Sequence, residues 1–313
     1  MAFASARAFA PATVANLGVG FDILGLAVEG VGDTVIVEPR TEPGAVILSI
    51  TGDKGQISHE PDRNVATVAA NALLKQLDSK VGVGIHLQKG LPIGSGLGSS
   101  AASAVAAVVA VNHLLGEPLP REALLPACLE GEAAVSGYHA DNVAPALLGG
   151  ITLTTGTALE QIKRMPVPDD IYLVLVTPDV VVPTREARAV LPQMVALRDM
   201  VHQTGAVAQL VDALYRSDVR AMAAAMASDR VVEPARAHLM PYLTEARAAA
   251  SAAGALSLII SGAGPTLCAI CDTVSTADGT AEALKHVYVE RAMECVVRQS
   301  RVNQTGAISD VSG

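Results

Sequence analysis

Between Leu91 and Ala102 the chain reads Leu-Pro-Ile-Gly-Ser-Gly-Leu-Gly-Ser-Ser-Ala-Ala, and small apolar residues continue from there to Val111. Gly94, Gly96 and Gly98 allow positive φ and a close approach of backbone to ligand, so several N–H groups can converge on one concavity. The Ala/Val segment predicts a helix over Ser99–Leu115, whose unpaired first-turn N–H groups and dipole add positive potential at the same spot. A strand is expected just before the loop, over Gly84–Gln88. Strand, glycine loop and helix in that order suit a polyphosphate without any basic side chain. Ser99 and Ser100 place hydroxyls at the mouth for Mg²⁺ or a phosphate oxygen. The plain alternative is a glycine turn with a serine cap.

The better-known phosphate loops do not fit. A Walker loop lacks its lysine, the dinucleotide-binding G-x-G-x-x-G fails in spacing, and no H-R-D or D-F-G follows. Composition narrows the partners. A net charge of -9 and a pI near 5.2 argue against nucleic acid or an anionic membrane, so any phosphate must be held locally. With 313 residues, 50% of them apolar, the chain has ample material for a core. The longest apolar run, Ala101–Val111, is too short for a bilayer, and Met1–Phe9 lacks the apolar stretch of an export signal, so a cytoplasmic protein is expected. Four cysteines make no disulfide framework. Cys268 and Cys271 form a C-x-x-C, but Leu267–Cys271 reads as a buried strand rather than a zinc or redox site.

Short Val/Ile runs alternate with longer Ala/Leu segments, the pattern of a mixed α and β protein. Strands are expected at 35–37, 46–50, 84–88, 151–154, 172–177 and 257–260. Helices are expected at 64–77, 99–115, 121–135, 184–191, 204–213, 219–226, 238–253 and 280–290. The polar, proline-bearing stretch 159–170 suggests a boundary, giving a nucleotide-binding domain over 1–165, a substrate domain over 166–305 and a tail over 306–313.

The segment Pro92–Ala102 resembles the phosphate-binding motif P-x-x-x-G-L-G-S-S-A-A of the galactokinase, homoserine, mevalonate and phosphomevalonate (GHMP) kinases. Pro11–Asp22 (PATVANLGVGFD) and Ser261–Thr266 (SGAGPT) resemble two further signatures of that family, in the family's order. Three more stretches resemble the members that act on homoserine. These are Glu132 with Ser136-Gly137 and His139–Pro145 ahead of Gly149-Gly150, Thr184-x-x-Ala187-Arg188, and Glu233-Pro234-x-Arg236.

The resemblance implies an α+β fold of two domains, the first like domain 2 of ribosomal protein S5 and the second ferredoxin-like. It implies ATP-dependent, Mg²⁺-assisted phosphorylation of the side-chain hydroxyl of L-homoserine. Another small alcohol such as mevalonate or shikimate, or a non-catalytic metabolite sensor on the same fold, is the alternative. A homodimer is also implied, although no patch in the sequence marks one.

By the same resemblance, Pro92, Ile93, Gly94, Ser95, Gly96, Leu97, Gly98, Ser99, Ser100 and Ala101 bind the nucleotide, with Asn64 near the adenine. Glu132 and Ser100 hold the metal, Ser99 being the other candidate hydroxyl, while Glu130 is the second-choice carboxylate. Asn16, Asp22, His139, Asn142, Arg188, Arg236, Gly262 and Gly264 bind substrate. A planar guanidinium can donate two parallel hydrogen bonds, which fits the arginines to the substrate carboxylate. The position where several relatives keep a catalytic aspartate is Asn142 here, and an amide cannot accept a proton at neutral pH. The expected chemistry therefore uses no dedicated protein base: Asn142 positions the substrate and the adjacent Asp141 is structural.

Overall fold

A computed structural model describes residues 4–135 and 137–310; Ser136 of the Ser136-Gly137 motif lies outside the described residues. The chain opens with strands β1 (Ala6–Ala15), β2 (Leu24–Arg40) and β3 (Gly44–Thr51), followed by helix α1 (Val65–Gln76) and strand β4 (Gly82–Gln88). The helices α2 (Ser99–Leu114), α3 (Leu125–Ala133) and α4 (Ala140–Leu148) come next, then the hairpin of β5 (Ile151–Thr154) and β6 (Ile162–Met165). The sheet runs in the order β1-β2-β4-β3, with β5 pairing the start of β2.

The chain enters a second sheet at β7 (Tyr172–Pro178) and continues through α5 (Thr184–Ala189), α6 (Leu197–Tyr215), α7 (Val219–Met226), α8 (Val232–Arg236) and α9 (Leu243–Ala252). Strands β8 (Ser257–Ile260) and β9 (Leu267–Cys271), helix α10 (Val274–Val289) and strand β10 (Cys295–Ser300) complete it. The order β10-β7-β9-β8, antiparallel throughout, is the ferredoxin-like arrangement expected. The chain then returns to the first sheet, where β11 (Ile308–Asp310) pairs with β1 inside the stretch read as a tail.

Strands β7, β8 and β9 of the second sheet are covered on both faces, which explains their unbroken apolar runs, while β10 at the edge carries exposed residues. Leu173, Leu175, Ile259, Cys268 and Ile270 face the large core shared with α6, α7 and the first sheet. Val174, Val176, Leu267, Ala269 and Cys271 face the smaller core under α9 and α10. Cys268 and Cys271 therefore stand on opposite faces, because side chains three apart in a strand diverge. A strand cannot offer both thiols to one ion.

Helix α2 is apolar all round and sits at the centre of the first core, packed against α1, α3, β1 and β2. Small side chains let the neighbouring helices come close: a Cβ at Gly131 of α3 would stand 2.8 Å from the Ala69 Cβ and 2.9 Å from the Ala104 Cβ. This buried helix carries the glycine loop on its N-terminus. No helix among the described residues is long and apolar enough to cross a membrane.

Several expected boundaries move for local reasons. The helix expected over 121–135 begins as a 3-10 turn at Arg121–Leu124 and becomes α-helical only at Leu125, where Pro126 fits the first turn. Strand β1 had no sequence signal of its own: its alanines and Pro11 read as irregular, yet Ala6, Ala8, Ala10 and Ala12 form its buried face.

Candidate active site

A cleft of about 640 Å³ runs between the glycine loop, the turn after β1, the start of α4, and α5 and α8 of the second part. One wall is the loop itself. Gly94, Gly96 and Gly98 all have positive φ (65°, 79° and 64°), and Gly98 is the N-cap of α2 with no side chain capping the helix. Residues Ile93–Gly96 and Gly98–Ser100 border the cleft. Among the loop residues expected there, Pro92 is exposed, and Leu97 and Ala101 belong to the core.

The third motif presses against this loop. Ser261 Oγ donates to the Gly96 carbonyl at 2.7 Å and Thr266 N–H to the Ser95 carbonyl at 3.1 Å. A Cβ at Gly96 would collide with the Ser261 carbonyl, so glycine is required by packing as well as by φ. Gly262 lines the cleft, whereas a Cβ at Gly264 would press on Met240, away from it.

Beneath the loop lies a network that the sequence did not disclose. The Lys89 ammonium pairs with the Asp33 carboxylate and donates to the Ser99 carbonyl at 3.0 Å and to Ser103 Oγ at 2.8 Å. Asp33, wholly buried, also accepts from the Gly90 and Leu91 N–H groups. Burial lowers the pKa of Lys89 while the Asp33 charge opposes the change. The network fixes both ends of the glycine loop to β2. Lys89 and Asp33 are 56 positions apart, so no spacing joins them.

Opposite the loop, Glu132 of α3 is buried and borders the cleft together with Ser99 and Ser100. Glu130 is exposed and accepts from the Tyr138 hydroxyl at 2.9 Å. No group of three or more His, Cys, Asp or Glu side chains among the described residues could hold a metal by itself. The donor set of one carboxylate and one hydroxyl thus fits a hard cation that takes its remaining oxygens from phosphates and water. Asn64 also lines the cleft, but its Oδ1 accepts from Ala66 N–H and its Nδ2 donates to the Ser58 carbonyl, which is the capping role of an N-cap residue.

The turn after β1 holds Asn16, Leu17 and Asp22 at positive φ, with Asn16 Nδ2 donating to the Gly262 carbonyl at 2.9 Å and Asn16 Oδ1 accepting from Asp22 N–H. The Arg188 guanidinium makes a two-pronged pair with Asp22, at 2.8 and 3.0 Å. Burial works against the Arg188 charge, but Asp22 outweighs it and raises the pKa. Arg236 is buried and donates to the Ala187 and Gly262 carbonyls, both at 2.9 Å. Both guanidiniums lie over the Phe21 ring, 5.5 and 5.2 Å from its centroid. His139 Nδ1 stands 3.5 Å from Asp22 Oδ2, with burial lowering its pKa.

Asn142 and Asp141 open α4. Asn142 Oδ1 accepts from Thr13 Oγ1 at 2.6 Å. Asp141 is buried on the cleft wall and its pKa is pushed up to about 7, first by burial and then by the charges of Asp22 and Glu132. The fold therefore brings Asn16, Asp22, His139, Asn142, Arg188, Arg236, Gly262, Glu132, Ser99 and Ser100 to one cleft.

Comparison with known proteins places this arrangement. The pattern described as "GHMP kinases N terminal domain" matches residues 64–150, and "GHMP kinases C terminal" matches residues 210–290. A homoserine kinase of Arabidopsis thaliana is 48% identical over 277 residues, covering 87% of this chain and 75% of its own. One from Xylella fastidiosa is 39% identical over 303 residues, covering 96% of this chain and 93% of its own. The crystal structure of homoserine kinase from Cytophaga hutchinsonii superposes with a TM-score of 0.94 at 39% identity, covering 99% of this chain and 98% of that one. The mevalonate kinase of L. major in complex with R-mevalonate shares the fold, with a TM-score of 0.71 at 18% identity over 94% of this chain and 95% of its own.

Proposed function

This chain belongs to the homoserine kinases of the GHMP kinase family, and on that premise we propose how its cleft carries out the reaction. The protein phosphorylates the side-chain hydroxyl of homoserine at the expense of ATP. The observation that carries the reading of the site is the pair of arginines over Phe21, in the same cleft as the uncapped N-terminus of α2.

The loop N–H groups from Gly94 to Ser100 and the N-terminus of α2 bind and neutralise the nucleotide phosphates. Glu132 and Ser100 hold Mg²⁺, which when bound would supply charge neutralisation to the phosphate oxygens. Arg188 and Arg236 orient the substrate carboxylate through their planar donor faces. Asp22 faces the ammonium, and so, beyond the structural role expected of it from the sequence, does Asp141 on the cleft wall, whose ionised form an arriving cation favours. Asn142 holds the reacting end, and Asn16, bonded to the Gly262 carbonyl and to Asp22 N–H, fixes the turn that carries Asp22 to the substrate. Phosphoryl transfer passes through a loose transition state, so positioning and charge neutralisation do most of what the protein must do. No side chain in this scheme removes the hydroxyl proton: as the substrate oxygen bonds to the γ-phosphorus and the bond to the departing ADP oxygen breaks, the proton passes to an oxygen of the transferred phosphoryl group.

The division near residue 165 leaves the phosphate loop in the first part and both arginines in the second, so the reacting groups meet between them. The acidic net charge supports small-molecule partners over nucleic acid or an anionic membrane; a homodimer is retained from the family pattern. Calorimetric titration of homoserine and of its amino alcohol, which lacks the carboxylate, tests the arginine assignment. The amino alcohol should bind poorly to the native protein and lose little more in Arg236→Ala. Losses that simply add would mean that Arg236 does not read the carboxylate.

A further inference from the structure

Thr13 is wholly buried in β1, and among the described residues its hydroxyl has one hydrogen-bond partner, Asn142 Oδ1, 2.6 Å away. That geometry fixes which way the Asn142 amide points. If the amide were turned over, Nδ2 would donate to the hydroxyl, and the hydroxyl proton would be left without an acceptor in a site closed to water. Satisfying it requires Oδ1 toward Thr13. The amide then turns Oδ1 to Thr13 and leaves Nδ2 to donate into the cleft that Asn142 lines.

The same threonine is fastened to the phosphate loop. Its backbone N–H donates to the Leu97 carbonyl at 3.0 Å. The next residue, Gly98, lies so close that a Cβ there would collide with Thr13 Oγ1 and stand 2.8 Å from Asn142 Oδ1. Loop, threonine and amide are thus in mutual contact, and Gly98 is the N-cap of the helix that faces the nucleotide. Displacing one of the three displaces the others, because close-packed groups have no slack to absorb a shift.

We infer that Thr13 is a positioning residue: it locks the Asn142 amide as a hydrogen-bond donor toward the reacting hydroxyl and holds it in register with the phosphate loop. The inference rests on the homoserine kinase reading of the cleft. An amide presenting only N–H cannot accept the substrate proton. It can donate to the substrate oxygen or to an oxygen of the transferring phosphoryl group, holding the two at attack distance. Thr13 itself touches neither reactant and acts through Asn142.

The test is a double-mutant cycle on the full-length protein, read as kcat and homoserine KM under saturating Mg·ATP. Thr13→Val keeps the shape and removes the hydroxyl, so kcat should fall about 10- to 100-fold with homoserine KM changed less than about threefold. Thr13→Ser keeps the hydroxyl and should restore most of the rate. In an Asn142→Ala background, Thr13→Val should change kcat by less than about twofold, since the group it positions is gone. Thr13→Ala replaces Thr13→Val in the cycle if the valine variant does not fold. A Thr13→Val enzyme at the native rate, a serine variant as slow as the valine one, or an equal loss in both backgrounds would each overturn the inference. Absence of homoserine turnover in the native protein would instead remove the functional reading on which it stands.

Discussion

Arg188 and Asp22 form a two-pronged ion pair, at 2.8 and 3.0 Å, across the cleft in which both are assigned to substrate. The arginine fork proposed to read a ligand carboxylate is therefore already matched to a carboxylate of the chain. An amino-acid substrate brings one carboxylate and one ammonium, and it can satisfy both partners at once by inserting between them. The internal pair keeps two charges neutralised in a partly buried site until that exchange.

Removing the fork should show in binding rather than in the chemical step. Arg188→Ala is expected to raise homoserine KM roughly 10- to 100-fold with ATP KM little changed, because charge-assisted bidentate bonds are lost. Arg188→Lys should recover only part, since a point charge cannot reproduce the planar fork. Steady-state kinetics with each substrate varied in turn checks this. Equal losses for ATP and homoserine would mean that the arginine serves the cleft as a whole.

At the proposed metal position Glu132→Gln keeps volume and removes charge, so turnover should fall on the order of 10²-fold at saturating Mg·ATP. Glu130→Gln, on the exposed side of α3, should stay within about twofold. The reverse order would assign the metal to the other carboxylate.

Asp141 gives a dependence on pH with a defined sign. Its pKa in the folded protein is about 7, above the ordinary 3.8, so the folded state binds more protons than the unfolded state between those values. Stability contributed at this residue therefore falls as pH rises from about 4 to about 7 and is level above that. Asp141→Asn should remove the slope and stabilise the free protein at pH 8 by up to about 4 kcal/mol, the gap closing toward pH 4. Thermal melts without Mg²⁺ or ATP measure it. A gap that does not change with pH would contradict the burial of a protonated carboxyl. The same variant should retain measurable turnover, since the residue is assigned to the ammonium and not to the proton.

Under the loop, Lys89→Met leaves the buried Asp33 without its cation and should cost about 3 to 5 kcal/mol of unfolding free energy. Removing the charge of both partners, with Asp33→Asn added, should recover part of that. Denaturant unfolding of the single and double variants decides the matter; a loss under about 1 kcal/mol for Lys89→Met would show that the pair does not hold the loop to β2.

Much of the site was legible because its parts are local. The glycine loop, the arginine-bearing stretches and the segment from His139 to Pro145 are contiguous words in the sequence. Their meeting in one cleft follows from the fold that the resemblance implied. What stayed hidden depends on distance along the chain or on a single atom. Thr13 and Asn142 are 129 positions apart, and the hydrogen bond between them leaves no trace in spacing. Asp33 and Lys89 look like surface charges until β2 and the loop bury them together. Asn64 sits at the cleft, but its side chain is taken up by capping, a distinction set by atoms rather than residue type. Strand β1 was missed because alanine carries little strand preference; its place between β11 and β2 makes it one. In the second sheet β7, β8 and β9 were legible because strands buried on both faces are continuous apolar runs, whereas β10, half-exposed with Arg298, Gln299 and Ser300, was missed.

ATP donates and homoserine accepts the phosphoryl group in this protein. A coupled ADP-release assay over L-homoserine, mevalonate, shikimate, galactose and threonine tests that transfer most directly. Mg²⁺-dependent ADP release is expected with L-homoserine well above every other compound, with the phosphate on the side-chain oxygen of the product. Background release with homoserine alongside clear turnover of mevalonate or a sugar would contradict it.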